Sequence, residues 1–410
     1  MAGASCTCTP TDLLRGITTT GGAARPAKNP SNFANDLSPV TKSCRLASLN
    51  PVSVHRSGRK TPQYALGGQT TELVGSAVLV IGDCFERMLV DRACDSYGVG
   101  DRMFFAGEDG TATFACKIPV GCTASDTDTA SSKHTASDAV RCLGELTLGV
   151  ASMVGAGSPP WFAEAYLLEK GVNRSNAAGD SEGRLHRFMA ASLLGLPAHA
   201  IAERLIANFT RAFGPPSLVT VQSLAWDYAR WASGASKLPC SPCTRWQDWA
   251  PPLATNRSAP RGRVRLNQAL HWWAVHGGAH VEQWRRDAGA LARSVAQAVT
   301  PTAPVYWRTR YVPVTEASTV RAYDDNDGTP GTPILPAAFG TLNEVARASH
   351  KEWGTRLLDW GRYMAPYTGW YYTDGLHPMD WVSHRYFQLL LSVAVAHRDE
   401  RALAASATCA

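Results

Sequence analysis

The alternation of apolar and polar positions divides the chain unevenly. Residues 1–72 sustain no apolar period and are rich in Ala, Thr, Ser, Pro and Gly, so they read as a disordered or targeting leader. At Ser76 the pattern changes. SAVLVIG is an unbroken apolar run ending in glycine, as expected of a central strand buried on both faces. Beyond Cys84 the apolar residues fall at Phe85, Met88, Leu89 and Ala93, a helical spacing, with Gly98 placed to cap the helix. Cys84 therefore belongs to a strand-to-helix turn.

Residues 99–143 contain the polar run TASDTDTASSKHTASDA and read as a cysteine-rich surface insertion. ELTLGVASMVG predicts a second strand, closed by the turn GAGSPPW. An amphipathic helix is expected over Ala198–Phe213, a third strand at SLVTVQSLAW, a helix over Val281–Val299 and a fourth strand at APVYWRTRYVP. Further helices are expected over Asn343–Tyr363, with Trp353, Leu357, Leu358 and Trp360 near one face, and over Pro378–His397. Strands alternating with helices predict a three-layer α/β/α domain with a mainly parallel sheet, spanning 73–400 and followed by a tail at 401–410. In such a fold the site lies beyond the carboxyl ends of the strands. The Cys84 turn, the Gly155 turn and the segment from Gln222 to Asp227 all follow strands directly.

Composition narrows the classes. With 45% hydrophobic and 18% charged residues the chain is of globular type, and no apolar stretch is long enough to span a bilayer. A net charge of +6 with no run of Lys and Arg argues against a nucleic-acid partner. Eleven cysteines are many for a reducing compartment. Cys94, Cys116, Cys122 and Cys142 lie close in sequence and predict at least one disulfide, free thiols being the alternative. The sequons at Asn173, Asn208 and Asn256 lean the same way, toward a glycoprotein of the secretory pathway or cell exterior; an organellar or cytoplasmic location is the alternative. No cofactor is expected. Cys240 and Cys243 lack a second such pair and read as a disulfide or free pair before a zinc site. Gly277 and Gly278 argue against one continuous helix face that would align His271, His276 and His280 as metal ligands.

Two motifs near the chain ends carry candidate chemistry: VLVIGDCFERM, Val78–Met88, and YYTDGLHPMDW, Tyr371–Trp381. A buried strand entering Gly-Asp and then a nucleophile at a helix start is half of a hydrolase site. An Asp three residues before a His, in a turn fixed by proline, is the other half. The order of a Gly-Asp-x-x-x-Arg turn, a glycine after the second strand, Ser-x-x-Trp-Asp after the third, a Trp-Arg-Thr strand and a terminal Asp-x-x-His-Pro resembles the SGNH/GDSL hydrolases. The branch most similar is that of the PC-esterases, which includes trichome-birefringence-like polysaccharide O-acetyltransferases.

The resemblance implies an SGNH-hydrolase-like, flavodoxin-like arrangement. It also implies a catalytic triad of Cys84, His377 and Asp374, with Cys84 where the family carries serine. It places Gly155 and Gln222 at the oxyanion hole, Gln222 standing where the family has asparagine. Gly82, Asp83, Arg87, Trp226, Asp227 and Arg308 match supporting positions, and Trp226 is a candidate for stacking on a sugar. The implied activity is that of an acyl esterase or O-acyltransferase acting on carbohydrate-linked acyl esters, acetyl foremost. A thiol is a competent nucleophile, with a reference pKa of about 8.5 that falls at helix N-termini and beside histidine. The longer Gln222, however, would push an oxyanion donor forward, and losing one such donor typically costs about 10²–10³ in turnover. The alternative expectation is therefore a protein that keeps the cleft and binds carbohydrate or another ligand without turnover.

Overall fold

The computed structural model describes residues 51–54, 63–106, 112–124, 140–154, 156, 162–163, 165–167, 186–188, 196–224, 227–228, 261–301, 303–311, 335–364 and 380–407. The strands that organise it are β1 (Pro51–Val54), β2 (Gln63–Gly67), β3 (Ala77–Gly82), β4 (Val99–Ala106), β5 (Ala112–Ala124), β6 (Val140–Arg141), β7 (Gly144–Val154), β8 (Phe162–Ala163), β9 (Ala165–Leu167), β10 (His186–Phe188), β11 (Leu218–Val221), β12 (Val305–Arg308) and β13 (Arg356–Leu358). The main sheet runs β1-β2-β5-β7-β3-β11-β12-β13. From β7 to β13 every neighbour is parallel, whereas β5 pairs antiparallel with β7. Counted along the chain, the five parallel strands stand in the order 2-1-3-4-5, the flavodoxin-like doubly wound arrangement.

Burial explains why these runs become central strands. Every residue of β3, β11 and β12 is buried, so their sequences carry apolar residues on both faces instead of alternating. Helices α1 (Cys84–Tyr97) and α6 (Asp380–Ala407) pack together on one face. Helices α2 (Ala198–Phe213), α3 (Arg261–Val299) and α4 (Pro336–Ser349) pack in sequence on the other, which completes the three layers. Between α3, β12 and the turn after α4, Trp284, Trp307 and Trp353 meet edge to face, with centroids 4.9–6.0 Å apart.

Several elements differ from expectation. The sheet takes in β1 and β2 from the stretch read as leader, and residues 99–124 form β4 and β5 within the sheet. Ala115, Ile118 and Val120 of β5 are fully buried, so this is core rather than a surface insertion. The polar run that suggested an insertion begins with the last two residues of β5, and its remainder, 125–139, lies outside the described residues. The helix expected over Asn343–Tyr363 is interrupted. After α4 the chain turns at Gly354, whose φ of +73° favours glycine, then forms β13 and the short α5 (Trp360–Met364). Trp353, Leu358 and Trp360 mimic a helical period because turn, strand and helix all point apolar residues inward. Helix α3 runs unbroken through Gly277 and Gly278. A Cβ at Gly277 would stand 2.8 Å from the Trp273 ring, so glycine there lets the indole lie against the helix.

Disulfides join Cys94 to Cys116 and Cys122 to Cys142. The first ties the last turn of α1 to β5. Peptide mapping of the unreduced, alkylated protein is expected to return both cross-links; four alkylated thiols would contradict them. Asn208 lies in α2 with 6% of its surface exposed, so glycosylation of the folded chain at that sequon is not expected. No helix among the described residues is long and apolar enough to cross a membrane.

Candidate active site

Strand register brings the carboxyl ends of β3, β7, β11 and β12 to one sheet edge. Gly82 stands opposite Ser152 of β7, Ile81 opposite Val221 of β11, Val221 opposite Trp307 of β12, and Arg308 opposite Leu358 of β13. The segments leaving these strands at Asp83, Gln222 and Thr309, and beyond Val154 toward Gly155, therefore share one rim. The chain passes from β3 to β7 on one side and returns to β11 on the other. The crevice between β3 and β11 is thus the switch point, where ligands bind in doubly wound sheets.

Asp83 and Glu86 shape the turn at that point. The Phe85 amide donates to Asp83 Oδ1 at 3.0 Å, and the Asp83 amide donates to Glu86 Oε2 at 3.1 Å, a reciprocal capping box at the start of α1. Glu86 folds back over Gly82, where a Cβ would stand 2.6 Å from the Glu86 side chain. Glycine is required here for close approach. Cys84 is the first residue of α1, at the tip of this turn.

Beneath the turn lies a buried, charge-balanced cluster. Arg310 Nη1 donates to Asp83 Oδ2 at 2.7 Å, and Arg308 pairs with Glu86; none of the four side chains is more than 3% exposed. The Arg310 guanidinium stacks 3.5 Å from the Phe85 ring centroid, and that of Arg308 lies 5.2 Å from Tyr386 of α6. Burial pushes the Arg308 guanidinium below its ordinary value, opposed by Tyr386, and burial pushes the Tyr386 phenol up. Two cations and two anions in one dry cluster hold the turn and expose nothing to a substrate. The backbone of Arg310 is clamped in turn: Asn343 accepts from its amide at 3.0 Å and donates to its carbonyl at 2.6 Å.

On the opposite side of the crevice, Asp227 is 3% exposed. It accepts hydrogen bonds from the Ser223 hydroxyl, from Trp284 Nε1 at 3.2 Å and from the backbone amide of Ala156 at 2.8 Å. Gln222 is 1% exposed. Its neighbours favour the amide orientation in which the nitrogen donates to Glu86 Oε2 at 3.1 Å and the carbonyl accepts from the Leu224 amide at 3.2 Å. The reverse orientation would set two acceptors and two donors face to face, with only a 3.4 Å contact from Arg308 in return. The amide that the sequence resemblance sends to an oxyanion hole is here engaged with Glu86.

Of the expected site residues, the structure therefore places Gly82, Asp83, Arg87, Gln222, Asp227 and Arg308, with Arg87 half-buried and its amide donating to the Asp83 carbonyl at 3.2 Å. Asp374, His377, Gly155 and Trp226 lie outside the described residues, as do Cys240 and Cys243. Sequence reasoning missed Glu86, Arg310 and Asn343. The Asp-x-x-Glu spacing of the capping box was legible, and so was the alternation of Arg308 and Arg310. Asn343, brought in from α4, left no local signal.

Elsewhere in α3, His280 is 3% exposed, and burial, reinforced by His276 one turn away, lowers its pKa to about 4. A buried neutral imidazole withholds a proton that the unfolded chain takes up below its ordinary pKa of about 6.5. Stability is accordingly complete above that value and falls as pH drops toward 4, by about 3 kcal/mol at most. Urea unfolding between pH 7 and pH 4 is expected to show this slope, and His280→Gln to flatten it.

No protein-family model and no curated protein matches the chain. Among solved structures it is similar to one described as "Peptidoglycan O-acetylesterase in action, 5 min", at 11% identity and a TM-score of 0.29, over 82% of this chain and 93% of that one. A likeness at that score carries no argument about this chain.

Proposed function

We propose that the protein is an acyl esterase or O-acyltransferase of SGNH type, acting on acyl esters of carbohydrates, with acetyl the foremost acyl group. The observation that carries this reading is the Gly82–Asp83–Cys84 turn at the switch point of a 2-1-3-4-5 sheet, braced by a buried ionic cluster. At the N-terminus of α1 the helix dipole favours the thiolate of Cys84. His377 takes the thiol proton as sulfur attacks the ester carbonyl, and Asp374 holds the imidazole. Collapse of the tetrahedral intermediate expels the sugar oxygen, which receives the proton from His377, and leaves a thioester on Cys84. Water or a second sugar hydroxyl, deprotonated by His377, then attacks the thioester and regenerates the thiol. In this reading the oxyanion donors are the backbone amides of Cys84 and Gly155, and Trp226 is the residue assigned to stack on the sugar. The two disulfides suit an oxidising compartment, which favours the secretory pathway or cell exterior.

A second reading, ligand binding without turnover, is favoured by one observation. Gln222 is 1% exposed, and the amide orientation its neighbours favour directs it to Glu86 and Leu224. Acetate release from O-acetylated polysaccharides separates the two readings. The esterase predicts release by the wild type and none by Cys84→Ala. Binding of the polysaccharide by both forms, with no acetate from either, would leave the second reading.

A further inference from the structure

The geometry points to Glu86 as the residue that positions the Cys84 turn against β11 and β12, with Gln222 as its partner, an inference that rests on the esterase reading. A capping-box glutamate need only reach back to its own helix start, as Glu86 does by accepting from the Asp83 amide at 3.1 Å. That role alone does not call for burial, and glutamate is almost never fully buried unless paired. Glu86 is fully buried. Its Oε2 also stands 3.1 Å from the Gln222 amide, its other oxygen meets Arg308, and its side chain folds over Gly82. Gly82 ends β3, Gln222 is the first residue past β11 and Arg308 ends β12, and these strands are successive neighbours in the sheet. One carboxylate thus gathers the carboxyl ends of three parallel strands.

The consequence reaches Cys84 through its backbone. Asp83, before it, is held by Glu86 at its amide and by Arg310 at its carboxylate. Phe85, after it, is held at its amide by Asp83. Glu86 links this turn to the end of β11 through Gln222 and to the end of β12 through Arg308. Without that link the nucleophile keeps its helix but loses its place along the rim, and a shift of about 1 Å at a reacting group can cost about 10²-fold in rate. Fully buried, Glu86 touches no substrate; it holds position.

Glu86→Gln keeps the side chain's length but turns an amide donor toward Gln222 or Arg308, which are donors themselves. Activity on an activated acetyl ester would be normalised to folded sites titrated by alkylation of Cys84. The kcat is expected to fall about 10²-fold with KM little changed. Combining Glu86→Gln with Gln222→Glu exchanges the two groups at unchanged net charge. The end of the Gln222 side chain lies 3.4 Å from Arg308 Nη2, so a carboxylate there still meets the guanidinium. The exchange is expected to return kcat to within about tenfold of wild type. It also separates positioning from direct oxyanion contact by Gln222, since a carboxylate beside an oxyanion would repel it. An exchanged variant as slow as Glu86→Gln overturns the inference and spares the esterase reading. So does a Glu86→Gln variant with a lowered thermal midpoint but unchanged kcat per titrated site. Should Glu86→Gln fail to fold, Gln222→Met leaves both ion pairs in place; its kcat is expected to fall about tenfold, and an unchanged kcat overturns the inference. A wild type inactive toward every acetyl ester overturns both.

Discussion

Arg310→Met is expected to destabilise the protein by about 3–5 kcal/mol, the usual cost of removing one member of a buried ion pair. Arg310 is fully buried and Asp83 is 3% exposed. Removing the guanidinium leaves a carboxylate that cannot reach water, with backbone amides at the start of α1 as its remaining partners and no countercharge at 2.7 Å. The loss comprises the ion pair at 2.7 Å, the stacking over Phe85 at 3.5 Å and the packing of a large side chain. Arg310→Lys is expected to recover little, since an ammonium cannot lie flat on Phe85 while reaching Asp83. Pairing Arg310→Met with Asp83→Asn should restore part of the loss, because both charges are then gone and the asparagine can still cap α1. Urea midpoints for the single and double variants decide it. A single variant as stable as the wild type would show that the cluster is not what holds the turn.

Cys84 carries the largest expected effect on activity. Cys84→Ala is expected to reduce turnover by about 10⁴-fold or more, the scale seen when a nucleophile of this type is removed. Cys84→Ser discriminates between two histories of the site. A pocket tuned to sulfur would lose most activity with the less acidic hydroxyl, whereas a pocket that keeps the serine geometry would gain. Serine is expected to be the more active form by a small margin. Gly82, Asp83 and Arg87 match the pattern of the serine enzymes that the sequence resembles, and the capping box fixes the turn through Asp83 and Glu86 without involving the side chain between Asp83 and Phe85. Equal rates for wild type, Cys84→Ser and Cys84→Ala would reject a catalytic role at this position.

The legible part of this fold is the part in which burial is written continuously. AVLVIG, LVTV and VYWR are buried on both faces, and each reads as a central strand without tertiary knowledge. The turn at Cys84 was legible because glycine, an acidic N-cap and a helical period follow one another. Strand β5 was not, since its two cysteines and the polar residues after it resemble a stapled loop until β2 and β7 are set on either side. Strand β13 is three residues long with an exposed Arg356, too short to show a period. In the site, charged residues were visible but their pairing was not. Arg310 and Asp83 are far apart in sequence, and only the parallel register of β3, β11 and β12 brings them together.

The account rests on Cys84 as an acyl acceptor served by His377, and trapping the intermediate tests that most directly. Wild-type protein would be mixed with an activated acetyl ester, quenched in acid and mapped by peptide mass. The account predicts one acetyl group on the peptide containing Cys84, removable by hydroxylamine, absent from Cys84→Ala and formed far more slowly in His377→Ala. An unmodified Cys84 in a protein that releases acetate, or equal labelling with and without His377, would contradict it.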